Sequence, residues 1–210
     1  MDGVIVDSNP AHKIALKQFC KKYGKDLTEA ELRENIYGRR NEDWLVKVFG
    51  PLESAQLQAY AEEKEALFRE VYDKDITAVD GLPDFLRRLR DLKIPSAIAT
   101  SAPRSNVDFT LARTGLAPYF DTILDSSFVT HGKPHPEVYL KAAEALNFEP
   151  GKCVVFEDSL AGVEAGRNAG CKVVGITTTH SPEELENTNL IIGDFTHLDP
   201  EDLISRLFGR

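Results

Sequence analysis

No stretch of this sequence approaches the run of about 18 apolar residues that a helix needs to cross a bilayer, so a transmembrane helix is excluded and no membrane partner is expected. The apolar stretch near the N-terminus, Val4 to Val6, follows Asp2 and is far too short for the core of a signal peptide. Cysteine is scarce. Cys20, Cys153 and Cys171 stand in no metal-binding spacing, and an odd count argues against a disulfide framework. Cys153 and Cys171 each open an apolar run and read as buried thiols, which fits a reducing, cytoplasmic location. Positive charge is in deficit, with 25 Lys and Arg against 34 Asp and Glu and a net charge of −9. That balance argues against nucleic acid as a partner, because binding a phosphate backbone needs a face rich in Lys and Arg. A small anionic substrate remains compatible, since a local cluster of positive groups can outweigh the global field.

What is present fits an ordinary folded protein. Hydrophobic residues make up 42% and charged residues 28% of 210, enough for one cored domain plus an inserted module. Two textures divide the chain. From about Asn9 to Asp75 it reads as helix. Pro10 sits in a first turn, Thr28 and Glu31 have capping-box spacing, and an amphipathic stripe of Leu57, Tyr60, Ala61, Lys64, Leu67, Phe68 and Val71 runs from about Ser54 to Tyr72. After Gly81, short apolar strands alternate with helices. Strands are expected at Ser96–Ala99, Thr122–Leu124, Val154–Phe156, Val173–Ile176 and Leu190–Ile192. Among the intervening helices is a short one at Pro182–Glu186. Strand–helix alternation with nearly continuous apolar strands implies a parallel sheet covered on both faces. The expected fold is therefore α/β: a doubly wound, Rossmann-like parallel sheet formed by 1–8 and 80–210, with an inserted all-helical cap at 9–79. Asn9 and Val79–Gly81 are the expected hinge crossings.

In such sheets, ligands bind beyond the carboxyl ends of the strands. Four polar segments fall there or in flanking loops: Met1 to Ser8, Ala99-Thr100-Ser101-Ala102, Gly132-Lys133-Pro134 and Phe156-Glu157-Asp158-Ser159. Singly, each has a bland reading as a turn, a helix cap or a surface kink. Together they describe a chemistry. Adjacent carboxylates at the lip of a buried strand repel each other unless a cation neutralises them, and hard oxygen ligands suit Mg2+. Thr100 offers a hydroxyl near a helix N-terminus, where backbone N–H groups can cradle phosphate. Lys133 adds a positive charge. Phosphoryl transfer is catalysed mainly by such positioning and charge stabilisation.

These segments, in this order, resemble the four motifs of the haloacid dehalogenase superfamily, and a cap inserted after the first motif resembles its beta-phosphoglucomutase-like branch. Asp-Gly-Val-Ile-Val-Asp-Ser, Ala-Thr-Ser, Gly-Lys-Pro-His-Pro-Glu and Phe-Glu-Asp-Ser-Leu-Ala-Gly-Val-Glu-Ala-Gly carry the likeness, which spans essentially the whole chain. The resemblance implies that Asp2 is the general acid/base and also reaches Mg2+ through its backbone carbonyl. It implies that Thr100, with the backbone of Ser101 and Ala102, binds phosphate. Lys133 would stabilise the phosphoryl oxygens, with a cis bond at Pro134. Glu157 and Asp158 would hold Mg2+, and His12 would couple cap closure to Asp2.

One departure matters. The family's first motif is Asp-x-Asp-Gly, and its first aspartate is the nucleophile. Here Met1 occupies the "x", so that aspartate and the central strand leading to it would lie ahead of Met1. The preferred reading is a natural protein extending upstream, and the competing one is a catalytically dead relative. In either case, the chain from Met1 is expected to lack aspartyl-phosphate chemistry. Substrate choice is assigned to the cap loop Tyr37-Gly38-Arg39-Arg40-Asn41-Glu42, where paired arginines suit a second anionic or polyhydroxyl group. The expected partner is a small phosphorylated metabolite and the expected state a monomer. A phosphatase of sugar phosphomonoesters comes first and beta-phosphoglucomutase second. A non-catalytic phosphate- and metal-binding module is the reading from another class, and a dehalogenase, which needs no Mg2+, fits the Glu157-Asp158 pair poorly.

Overall fold

The computed structural model describes residues 1–36 and 40–209, apart from the side chain of Arg33. The chain divides into two compact units, Met1–Asp7 with Ile76–Arg210, and Ser8–Asp75.

The second unit holds α1 (Asn9–Lys22), α2 (Glu29–Asn35), α3 (Asn41–Phe49) and α4 (Ser54–Tyr72). Pro10 lies in the first turn of α1, where its missing N–H costs nothing. Thr28 caps α2 in a reciprocal box: the Glu31 N–H donates to the Thr28 hydroxyl at 3.3 Å, and the Thr28 N–H donates to the Glu31 carboxylate at 2.8 Å. The core is built around Phe19, which is fully buried. Its ring meets Trp44, Phe49 and Tyr60 edge-on at 5.9, 5.9 and 5.6 Å. Leu16, Leu32, Ile36 and Leu45 complete the cluster.

In the first unit, β1 (Ala97–Ala99), β2 (Thr122–Leu124), β3 (Val154–Glu157), β4 (Lys172–Ile176) and β5 (Leu190–Ile192) are interspersed with α5 (Leu82–Asp91), α6 (Arg104–Thr114), α7 (Glu137–Ala145), α8 (Leu160–Asn168) and α9 (Pro200–Phe208). All strand pairs are parallel. Successive residues of β3 face opposite sides. Val155 packs with Tyr139 and Ala142 of α7 and Val163 of α8. Phe156 turns the other way, to Phe85 of α5 and to Phe195, at 5.6 and 5.3 Å. Helices thus cover both faces of an α/β core.

The strands form two groups, β1–β2 and β3–β4–β5. In a parallel strand, alternate residues direct both backbone groups to the same neighbour. Ser96 C=O and Thr100 N–H bond toward the β2 side, so Ala97 and Ala99 direct theirs to the opposite edge. Cys153 C=O accepts from Lys172 N–H, so Val154 and Phe156 direct theirs away from β4. An apolar cavity of about 470 Å³ is lined by both strands, with Met1, Phe85 and Leu203 among its walls.

One expected element is reduced. The segment at 182–186 is a turn, although Ser181 starts it as a helix cap would: its N–H donates to the Glu184 carboxylate, and its C=O accepts from the Leu185 N–H. Asn189, just ahead of β5, donates its N–H to Val173 C=O and accepts the Val173 N–H on its side chain. The chain is committed to the sheet before a second helical turn can form.

Candidate active site

The carboxyl end of β3 delivers Glu157 and Asp158, both buried, to different surroundings. Glu157 forms an ion pair with Lys133 and accepts from the Tyr139 hydroxyl at 2.5 Å. It also accepts from the Ser159 N–H at 3.2 Å and the Ser159 hydroxyl at 2.9 Å. Burial alone would raise its pKa, but Lys133, helped by Tyr139, outweighs burial and holds it down at about 2. A β-carbon on Gly162 would lie 2.0 Å from this carboxylate, so only glycine lets the first turn of α8 close over it. Tyr139 is pushed well above its ordinary range, by burial first and then by Glu157, so it stays a hydrogen-bond donor.

Among the described residues, Asp158 makes no ion pair of this kind with a Lys or Arg side chain. Burial, and next the negative charge of Glu157, raise its pKa, while a hydrogen bond from the Thr179 hydroxyl opposes them. Its carboxylate lies against Gly3, which has a φ of +68°. The turn carrying Asp2 and Gly3 is tight: Ile5 N–H donates to Met1 C=O at 2.7 Å, and Gly3 N–H to Val6 C=O at 2.8 Å. The Thr178 hydroxyl pins Gly3 C=O at 2.5 Å. The Met1 amine, kept below its ordinary range mainly by burial, feels the charges of Asp2, Lys133, Glu157 and Asp158. The Lys133–Pro134 bond is cis.

Thr100 follows the carboxyl end of β1 and is buried. Its hydroxyl accepts from Ala102 N–H at 3.1 Å, and Ala102 C=O accepts from Ser126 N–H at 3.0 Å. Ser101 is exposed at the tip of this turn. Among the described residues, the bonds of this Thr100–Ala102 turn run within it and to Ser126 and Leu124.

In the helical unit, His12 and Asn41 meet through two residues that had passed as part of an amphipathic helix. Lys64 Nζ lies 3.2 Å from His12 Nδ1 and 2.8 Å from Glu65, and the Asn41 amide donates to Glu65 at 2.8 Å. Trp44 Nε1 donates to Asn41 Oδ1 at 2.9 Å, and the His12 ring stacks on Phe68 at 3.7 Å. Lys64 and Glu65 are both buried. Arg40 is half-exposed and engaged locally with Glu42 and Asp43. Gly38 and Arg39 lie outside the described residues.

Sequence reasoning missed Tyr139, Thr178, Thr179, Lys64 and Glu65. The run Thr177-Thr178-Thr179 directly after an apolar strand was the available signal for two of them. Tyr139 looked like one more apolar position of α7.

The donor set fits a hard divalent cation: the buried Asp158 carboxylate sits against the Gly3 turn, with the Glu157 carboxylate next to it and the Thr179 hydroxyl bonded to it. Among the described residues, no helix is long and apolar enough to cross a membrane.

Comparison with known proteins agrees with this geometry. Residues 1–170 match the model of haloacid dehalogenase-like hydrolases. The chain is 33% identical over 214 residues to a phosphorylated carbohydrates phosphatase of Thermotoga maritima, covering 99% of this chain and 95% of that protein. It is 30% identical over 181 residues to the fructose-1-phosphate phosphatase YqaB of Escherichia coli, covering 84% and 93%. Among solved structures, a family IA hydrolase from Entamoeba histolytica superposes with a TM-score of 0.91 at 30% identity, covering 99% of this chain and 96% of that one. A beta-phosphoglucomutase from Clostridium difficile superposes with a TM-score of 0.83 at 27% identity, covering 98% and 93%. With four fifths of its length matched, and phosphatases and a beta-phosphoglucomutase among its relatives, the chain belongs to the haloacid dehalogenase-like hydrolase family.

Proposed function

We propose that the protein is a Mg2+-dependent phosphatase of small sugar phosphomonoesters, working through an aspartyl-phosphate. The observation that carries this reading is Asp158, a buried carboxylate with a raised pKa, pressed against Gly3 and next in the chain to Glu157, which pairs with Lys133. Asp158 and the Asp2 carbonyl are the proposed first holders of Mg2+. Glu157 joins them when Lys133 turns from it to the phosphoryl oxygens. When bound, Mg2+ supplies charge neutralisation on the transferring group.

The remaining roles fall to side chains. Lys133 neutralises a phosphoryl oxygen, and the Thr100 turn, with the N–H groups of Ser101 and Ala102, holds the others. Asp2 gives its proton to the leaving alkoxide oxygen as the P–O bond breaks, then takes a proton from the water that attacks the aspartyl-phosphate. In the Asp-x-Asp-Gly pattern the nucleophilic carboxylate stands one residue before the x that Met1 fills, and the chain from Met1 alone is proposed to be inactive. His12, Gly38, Arg39, Arg40 and Asn41 are proposed to select the substrate.

The test is product analysis on a chain carrying an apolar strand and an aspartate ahead of Met1, with the chain from Met1 as control. A panel of sugar phosphates is followed for phosphate release, and beta-glucose 1-phosphate for conversion to glucose 6-phosphate. Mg2+-dependent phosphate release by the extended chain only is the expected result. Conversion without release makes the protein a mutase, the reading that the Clostridium difficile neighbour favours. A folded extended chain without either activity refutes catalysis and leaves a binding module.

A further inference from the structure

The loop that carries Lys133 also holds a group of side chains with no part in the proposed phosphoryl chemistry. His131, His135 and Glu137 each place one ligand atom within 4.8 Å of the other two. The two histidines are exposed and their rings lie 4.5 Å apart. We propose that these residues form a binding site for a borderline transition-metal ion, with Zn2+ as the reference case.

The carboxylate is already organised. Glu137 Oε1 accepts from Thr130 N–H at 3.1 Å and from Lys141 Nζ at 2.8 Å. Oε2 accepts from His131 N–H at 2.9 Å and lies 3.0 Å from His131 Nδ1. These bonds hold the Glu137 carboxylate in place beside the His131 ring. The contact between the His131 ring and Oε2 is the one a metal would replace, leaving Oε1 with Lys141. His135 Nδ1 accepts from Glu137 N–H at 3.3 Å, which fixes one face of its ring beside the same carboxylate.

Ligand type and reach both point away from Mg2+. Two imidazoles and one carboxylate suit Zn2+, Ni2+ or Cu2+, whereas Mg2+ prefers oxygen alone. Bond lengths of about 2.0–2.2 Å put tetrahedral ligand atoms roughly 3.4 Å apart, so the spread of 4.8 Å must contract by about 1.4 Å. Exposed His131 and His135 can supply that by side-chain rotation. Three protein ligands leave a fourth position for water. The spacing gives the site a mechanical consequence: His131 and His135 flank Lys133–Pro134, and Glu137 is the first residue of α7. A bound ion ties both flanks of the Lys133 loop to that helix.

The test uses the chain as it stands, titrated with Zn2+ in excess Mg2+ and compared with His131→Ala, His135→Ala, the double variant and Asp158→Asn. The expected result is stoichiometric Zn2+ binding, weakened roughly tenfold or more in each histidine variant, lost in the double variant and unchanged in Asp158→Asn. Cu2+ bound in place of Zn2+ should show electron-spin couplings from two imidazole nitrogens, and amide exchange across 130–135 should slow in the parent but not in the double variant. Absence of Zn2+ binding by the parent, or equal binding by the double variant, overturns the proposal. Both histidines are exposed, so their removal leaves the fold intact, and the fate of the phosphatase reading does not enter the result.

Discussion

A β-carbon added to Gly3 would lie 2.0 Å from Asp158 Oδ2, at a φ of +68° that other residues rarely adopt. The strained backbone alone costs about 1–2 kcal/mol, and the clash must also push the Asp158 carboxylate out of place. Gly3→Ala is therefore expected to lower thermal stability and to abolish metal binding together, as read by calorimetry. Lys133 makes a prediction of a different kind. Glu157 titrates at about 2 in the fold against 4.5 outside it. A carboxylate with a depressed pKa adds stability above its unfolded value and loses it as pH falls through the folded one. In metal-free buffer this contribution is complete above about pH 4.5 and fades toward pH 2. Lys133→Met leaves Glu157 buried without its cation, at a cost of about 3–5 kcal/mol at neutral pH. Protonating Glu157 relieves that cost, so the variant's deficit should shrink as pH falls; a deficit independent of pH in acid-unfolding curves would contradict the pairing. At this scale Glu157 and Asp158 stood out in the sequence as carboxylates at the end of an apolar strand, and Asp2 and Lys133 through the family resemblance. Tyr139 and Thr179 did not, because a buried tyrosine and a threonine beside a strand look like packing until the bonds they donate are seen.

Elements were read most faithfully where a local signal and a tertiary need agree. Thr28 and Glu31 cap α2, Pro10 sits in the first turn of α1, and β2 and β5 fall on the expected residues. The turn at 182–186 shows the opposite case, where a helix start signal is overruled by the entry into β5. The stripe of α4 is a further case: Lys64 falls within it, and it is buried and paired with the equally buried Glu65, which the stripe leaves out. Periodicity reports which face of α4 is polar; it does not report that His12 and Asn41 need that polarity. For the C-terminal helix, Asp199 caps α9 by accepting from Glu201 N–H and Asp202 N–H, both at 2.9 Å, and also pairs with Arg88. Asp199→Ala should cost about 1 kcal/mol through the cap, since the exposed ion pair adds little. Chemical denaturation that found no loss would place the helix's stability in Leu203 and its neighbours instead.

For the whole molecule, strand–helix alternation disclosed a parallel α/β core, and only the family resemblance, which puts the central strand ahead of Met1, pointed to a gap such as the apolar cavity of about 470 Å³ that β1 and β3 face. That separation is a property of pairing between distant segments, which no local pattern encodes. Filling the cavity with an extended apolar segment attached ahead of Met1 is expected to engage the outward backbone groups of Ala97, Ala99, Val154 and Phe156. Each kcal/mol so gained raises Tm by about 2–4 °C in a chain of this size, and an unchanged Tm would show that the cavity does not accept a strand. Asp158, at the carboxyl end of β3, is the proposed first holder of the cation. Calorimetric titration with Mg2+ of the chain and its Asp158→Asn variant tests that role most directly. The account predicts that the parent binds Mg2+ and that the variant, equally folded, binds at least roughly tenfold more weakly. Equal Mg2+ binding by the two proteins, or none by the parent, would contradict it.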